Sequence, residues 1–333
     1  MEVTFNLCNE VLKKFYGKPE DVYPLYLVMC VLNGVLSLTS VLGNISIIFA
    51  LKKTSSIPLS TRILLQCLAL TDLATGFLGH PLYIAVMSGI RQEYSCENIH
   101  VILFSFFMIE GLLLSASFTT VTLMGVDRFL AIFLHLRYNE LVTPKRTVTV
   151  VLALWIFGLV TTIISVFWYF KAGETLLLIF GYNCTLLLSI IYIKLFSVAR
   201  QHAACINSQA QVAIHLSNFT SMTRSKNLAI KTFYVYVVFL LCYCPCLIVL
   251  TVLFVSHVQL STTMKGAVQL STVLMMLNSS LNPLVFGWKM REVRQNVKNY
   301  FKSYFFHKSD EAFFRVTRSA DKHKKIATSL AWS

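Results

Sequence analysis

Seven long apolar runs dominate the chain, at about 24–51, 63–88, 99–134, 147–170, 176–197, 228–255 and 266–288. Each exceeds the roughly 20 residues that an α-helix needs to cross a bilayer core. Hydrocarbon offers no hydrogen bonds, so the backbone of every run must satisfy itself. Strands of a membrane barrel would read as alternating segments of about 10 residues, and none of these runs alternates. The expected fold class is an all-α membrane protein, a seven-transmembrane helix bundle.

After the last run, Met290, Val293, Val297, Tyr300, Phe301, Tyr304 and Phe305 recur at helical spacing, interleaved with Arg291, Arg294, Lys298 and Lys302. The pattern predicts an amphipathic cytoplasmic eighth helix over 289–306, lying on anionic inner-leaflet lipids. Residues 1–23 are expected to form an extracellular N-terminus, 24–288 the bundle, and 307–333 a disordered cytoplasmic tail. The first 23 residues hold Glu2, Glu10, Glu20 and Asp21 and no continuous apolar stretch, so no removable leader is expected there.

The 333 residues carry a net charge of +14 at a mean hydropathy of +0.66. Basicity of this size in a soluble chain points to nucleic acid, but such hydropathy does not accompany it, and nucleic acid is excluded as a partner. With the N-terminus outside, the outer segments hold six Lys and Arg against seven Asp and Glu, and the inner segments hold 23 against six. The positive-inside rule therefore predicts a multi-pass membrane protein with an extracellular N-terminus and a cytoplasmic C-terminus.

Two carboxylates remain inside the runs, Asp72 and Glu110. Ionisable groups at membrane depth are costly, which makes each a candidate functional residue. Asp72 shares the bundle with Asn44, Ser117, Asn278 and Asn282, the last two on one helix face. One carboxylate with neutral oxygens suits a small hard cation such as sodium. The same set equally suits a hydrogen-bonded cluster that binds helices together. Asp127-Arg128-Phe129, at the inner end of the third run, reads either as an interfacial ion pair or as a latch that frees Arg128 when Asp127 is neutralised.

Taken in order, the residues resemble the rhodopsin-like (class A) G-protein-coupled receptors across essentially the whole chain. Gly43-Asn44 stands in the first run, Leu68 to Asp72 in the second, Asp127-Arg128-Phe129 in the third and Trp155 in the fourth. Tyr192 follows in the fifth, Phe239 and Cys242-Tyr243-Cys244-Pro245 in the sixth, and Asn282-Pro283-Leu284-Val285-Phe286 in the seventh. The resemblance implies that Arg128 meets a heterotrimeric G protein, with Tyr192 holding it in the open state, while Pro245 hinges the sixth helix and Phe239 and Tyr243 act as packing switches. It also implies an allosteric sodium ion at Asp72, Ser117, Asn278, Asn282 and Asn44, no other cofactor, and regulation by receptor kinases and arrestin at the tail. Phe129 and Phe286 stand where tyrosines are usual, and Tyr243 where tryptophan is.

The third run has Leu103 where most members carry the cysteine that fixes the second extracellular loop, and that loop is short. These departures look most like the melanocortin-receptor branch. Cys8 and Cys96 are the cysteines of the outer segments, and either a bridge between them or two free thiols is expected.

Glu110 falls where amine-binding members place their acidic counter-ion. The resemblance surrounds it with Gly111, Leu114, Leu176, Phe180, Cys246, Leu247, Leu250, Thr272 and Met276, an apolar pocket for an extracellular ligand with one cationic group, amine-like or peptide. An internal counter-charge or a protonated acid is the alternative role for Glu110. Met276 occupies the position that would carry the Schiff-base lysine of a photoreceptor, which excludes an opsin. The competing class is an ion-conducting or transporting protein using the Asp72 core, but paired repeats and broken helices are not apparent in the sequence. No nucleophile and base stand at usable spacing, so no enzymatic activity is expected.

Overall fold

A computed structural model of the chain describes residues 8–9, 11–12, 15–16, 19–134, 137–167, 178–179, 181–195, 197, 216–256, 261–300 and 302. Among them no strand occurs. Span one is the helix Pro19–Lys52, span three Cys96–Phe133, span four Pro144–Phe167, span six Leu216–Ser256 and span seven Thr262–Lys289. Span two runs from Leu59 to Arg91 and contains a five-residue π turn, Thr75–Gly79. Among the described residues, six helices are long and apolar enough to cross a membrane, and the fifth span contributes the shorter apolar helix Gly181–Leu195.

The surfaces are those that a hydrocarbon solvent requires. Leu38, Phe77, Ile193 and Leu241 are 65–70% exposed, while Asn33, Asn44, Thr61, Asp72 and Arg128 are buried. These polar side chains lie inside, where hydrocarbon cannot reach them, and these apolar ones form the outward surface. Span seven packs against spans one and six, and span three against spans two, four and six. Spans three and four approach through paired small residues. A Cβ on Gly111 would lie 2.8 Å from Thr162, and one on Gly158 would lie 2.4 Å from the Ser115 hydroxyl. Gly111 and Ser115 are one helical turn apart, as are Gly158 and Thr162, so the two faces mesh over a full turn.

The π turn in span two has a visible cause. The His80 N–H reaches back five residues to the Thr75 carbonyl. Pro81, next in line, has no N–H with which to reach Gly76. Ser37 of span one fills that gap, its hydroxyl donating to the Gly76 carbonyl at 2.7 Å. A proline in one span is thus compensated by a serine in its neighbour.

Two boundaries differ from the sequence expectation. Span six begins at Leu216, about three turns before the apolar run at 228, because the run marks only the stretch that must be apolar and a helix leaving the membrane can continue in polar residues. Span one begins at Pro19, inside the segment expected to precede the bundle. The eighth helix starts after a break at Met290 (φ −110°, ψ 94°) and is described over 291–300. Met290 and Val293 are buried, while Arg291, Arg294 and Lys298 face outward.

Candidate ligand-binding site and signalling core

An outer cavity of about 200 Å³ opens among spans three, four, six and seven. Glu110, Gly111, Leu114, Cys246, Leu250 and Thr272 line it as expected. Glu110 is 7% exposed, and its Oε1 has no hydrogen-bond partner. The carboxylate presses on span two: a Cβ at position 79 would lie 1.8 Å from Oε1, so any larger residue there would make the Glu110 side chain swing away. The π turn thus brings a bare patch of backbone to the acid.

Two expected lining residues are elsewhere. Leu247 is turned toward span five, where a Cβ on Gly181 would touch it at 2.8 Å. Met276 faces a second, inner chamber, because Thr272 and Met275 occupy the cavity side of the same helix. Leu176 and Phe180 lie outside the described residues. The sequence reading missed Phe15, Tyr16, Phe106, Ser165 and Gln269, all of which line the cavity.

The inner chamber, of about 10 Å³, is bounded by Asp72, Thr75, Ser117, Tyr243 and Met276, and Glu110 closes its outer end. Asp72 Oδ2 accepts from Asn282 Nδ2 at 2.8 Å, and the Ser117 hydroxyl donates to Thr71 Oγ1 at 3.1 Å. Asn44 is not part of this group: its amide donates to the carbonyls of Ser40 at 2.9 Å and Ser279 at 3.0 Å, joining spans one and seven. Asn278 and Asn282 share a face but do not line the chamber, although each has a buried Oδ1 with no partner. A carboxylate and a hydroxyl bordering a space of one small species, with spare amide oxygens behind, fit a small hard cation.

At the inner end, Arg128 is 1% exposed and pairs with Asp127 through Nη2 at 2.5 Å and Nε at 3.1 Å. Asp127 is held in turn by the Thr61 hydroxyl at 2.8 Å and the Tyr138 hydroxyl at 2.6 Å. Thr61 also contacts Arg128 Nη2. Burial, and after it the Asp127 carboxylate alongside, push the Tyr138 phenol up, so it stays a donor at any physiological pH. Of the two sequence readings, the arrangement is a buried and braced pair rather than an interfacial one. Tyr192 makes no hydrogen bond to Arg128 in this conformation. It stacks on Tyr236 of span six, ring centroids 4.7 Å apart.

Phe239 and Tyr243 pack on Phe118 of span three at 4.6 and 5.0 Å and on each other at 4.1 Å, below Pro245. Phe286 is buried. Cys8 and Cys96 are neighbours, as the bridge reading required, but both are free thiols. Cys96 Sγ donates to Asn9 Oδ1 at 3.1 Å instead.

The bundle, its buried Asp-Arg pair and the proline within its sixth helix point to a class. The chain is similar to the seven-transmembrane receptors of the rhodopsin family: the family description, 7 transmembrane receptor (rhodopsin family), matches residues 43–175. It is similar to the adenosine receptor A2b of Gallus gallus, 25% identical over 317 aligned residues that cover 84% of this chain and 86% of that receptor. These comparisons lend no support to the melanocortin branch.

Proposed function

We propose that this G-protein-coupled receptor binds an extracellular ligand with one cationic group and a compact apolar body in the outer cavity. The observation that carries this reading is Glu110, a buried carboxylate with an unpartnered oxygen in an otherwise mainly apolar space. A ligand cation there makes a desolvated, charge-assisted bond. The acid also borders the inner chamber, so a ligand that engages it acts on the Asp72 and Tyr243 walls one layer down. Rearrangement of the Phe118, Phe239 and Tyr243 rings then lets span six swing outward about Pro245, and Arg128 leaves Asp127 for a heterotrimeric G protein. Asp72 and Ser117 would hold a sodium ion that favours the closed bundle. The N-terminus lies outside the plasma membrane, the eighth helix rests on anionic inner-leaflet lipids, and kinases and arrestin act on the tail. Ion conduction is the disfavoured alternative.

Glu110→Gln keeps the shape and removes the charge. It should weaken a cationic agonist by at least tenfold, equivalent to about 1.4 kcal/mol, measured as the concentration for half-maximal G-protein recruitment. An unchanged response would sink the reading. The similarity to a receptor named for adenosine favours a second reading, a neutral nucleoside held by Gln269, Thr272 and Ser165. Adenosine tested beside a panel of amines separates the two, because a nucleoside response should survive Glu110→Gln.

A further inference from the structure

The described part of the N-terminus belongs to the ligand cavity. Tyr16 N donates to the Leu12 carbonyl at 3.1 Å, closing a helical turn that sets Phe15 and Tyr16 into the cavity lining. Both are buried, at 8% and 6% exposure, and so are Cys8 and Val11. Two polar anchors fix the segment. Near its start, Asn9 accepts from Cys96 at the head of span three. At its end, Gln269 of span seven donates to the Phe15 carbonyl at 3.1 Å, while the Gln269 oxygen accepts from Tyr83 of span two at 3.2 Å. The buried amide is thus satisfied at both ends and oriented.

Among the described residues, the cavity lining is poor in hydrogen-bond acceptors and rich in rings. The hydroxyls of Thr162, Ser165 and Thr272 each donate to a carbonyl of their own helix, at 2.8, 2.8 and 3.0 Å. Gln269 is already engaged, which leaves Glu110 Oε1 as the unpartnered acid oxygen. A primary ammonium carries three N–H donors and asks for as many acceptors. Methyl groups on the nitrogen remove that demand and spread the charge over a surface that aromatic faces attract. Phe15 and Tyr16 contribute rings to the lining from above, and Phe104, Phe106 and Phe107 contribute rings from span three.

We propose that the described residues before span one, Cys8, Asn9, Val11, Leu12, Phe15 and Tyr16, form the roof of the ligand site, and that Phe15 and Tyr16 select a methylated ammonium ligand, tertiary or quaternary, over a primary amine. The proposal rests on the cationic-ligand reading of Glu110 and adds to it a specificity element outside the seven spans.

The test uses the full-length receptor in lipid nanodiscs with three probes: 2-phenylethylamine, its N,N-dimethyl derivative and its N,N,N-trimethyl derivative. Affinities are read from the ligand-dependent rise in unfolding temperature. The trimethyl probe should bind about tenfold tighter than the primary amine, as a desolvated cation–π contact allows. Phe15→Ala and Tyr16→Ala should each collapse that preference, Phe15→Leu should do so while keeping the volume, and Tyr16→Phe should retain it. Equal or better binding of the primary amine, or a preference indifferent to Phe15→Leu, overturns the roof proposal; if Glu110→Gln still weakens all three probes, the cationic-ligand reading stands alone. If no probe binds, or Glu110→Gln changes nothing, both fall.

Discussion

Asp127 shows how much can depend on one carboxylate. It accepts from Arg128, Thr61 and Tyr138, so spans two and three and the loop beyond meet at two oxygens. Tyr138→Phe removes one donor without opening a cavity. A charge-assisted hydrogen bond is worth about 1.5–3 kcal/mol, and losing it loosens the carboxylate that restrains Arg128. Ligand-independent G-protein signalling should rise by roughly tenfold, the equivalent of about 1.4 kcal/mol, in a nucleotide-exchange assay on matched receptor densities. Cys8 makes a chemical prediction. Burial, followed by the Cys96 thiol beside it, pushes its pKa up to about 12, so almost no thiolate exists at neutral pH. The thiolate is the reactive form. Alkylation of Cys8 by iodoacetamide should therefore lag well behind that of a free thiol at neutral pH and accelerate steeply under alkaline conditions, followed by peptide mass analysis. Should intact mass show two alkylatable thiols only after reduction, the pair is bridged in the cell.

Among the elements, span two gives the most direct test of cause. If the π turn exists because Pro81 cannot donate to Gly76, then Ser37 is its compensation. Ser37→Ala should cost about 1 kcal/mol by leaving a buried carbonyl unpaired. Pro81→Ala supplies the missing N–H, so the double variant should recover part of that loss. Unfolding temperatures of the four proteins in one detergent give the coupling, and strict additivity would refute the account. The same element marks the limit of what the sequence discloses. The seven runs, Asp72 and the Asp127-Arg128 pair were legible because membrane depth makes apolar length and buried charge conspicuous. The π turn was not, since a proline near a span's end permits a kink, a break or a bulge. The roof was equally hidden: Phe15 and Tyr16 lie in a segment with Lys13, Lys14 and Lys18, and no periodic signal says that two rings fold back into the bundle. Met276 and Leu247 were assigned to the cavity by family position. Each is buried nearby, but about a helix axis one residue is 100° of rotation, enough to move a side chain from one chamber to the next.

At the scale of the molecule, the eighth helix closes the inner face by holding the first loop. Glu292 accepts from the backbone N–H of Ser55 at 2.8 Å and of Ser56 at 3.2 Å, and Asn296 donates to Thr54 Oγ1 at 3.2 Å. Partial burial raises the Glu292 pKa, but the bonds from Ser55 and Ser56 together outweigh it and bring it below the ordinary 4.5. A depressed folded-state pKa contributes stability above the ordinary value and loses it as pH falls through the depressed one. The contact should therefore hold unchanged from neutral pH down to about 4.5 and weaken only in stronger acid. Hydrogen exchange at the Ser55 and Ser56 amides across that range checks it, with Glu292→Gln expected to show fast exchange throughout.

The long reach of these closing bonds also sets a timetable for biosynthesis. Phe15 waits 254 residues for Gln269, Ser55 waits 237 for Glu292, and Asp72 waits 210 for Asn282. At roughly 5–20 residues per second of translation, span two spends tens of seconds with its acid unmatched. Until the last span emerges from the ribosome, Asp72 therefore lacks the amide that partners it in the folded bundle.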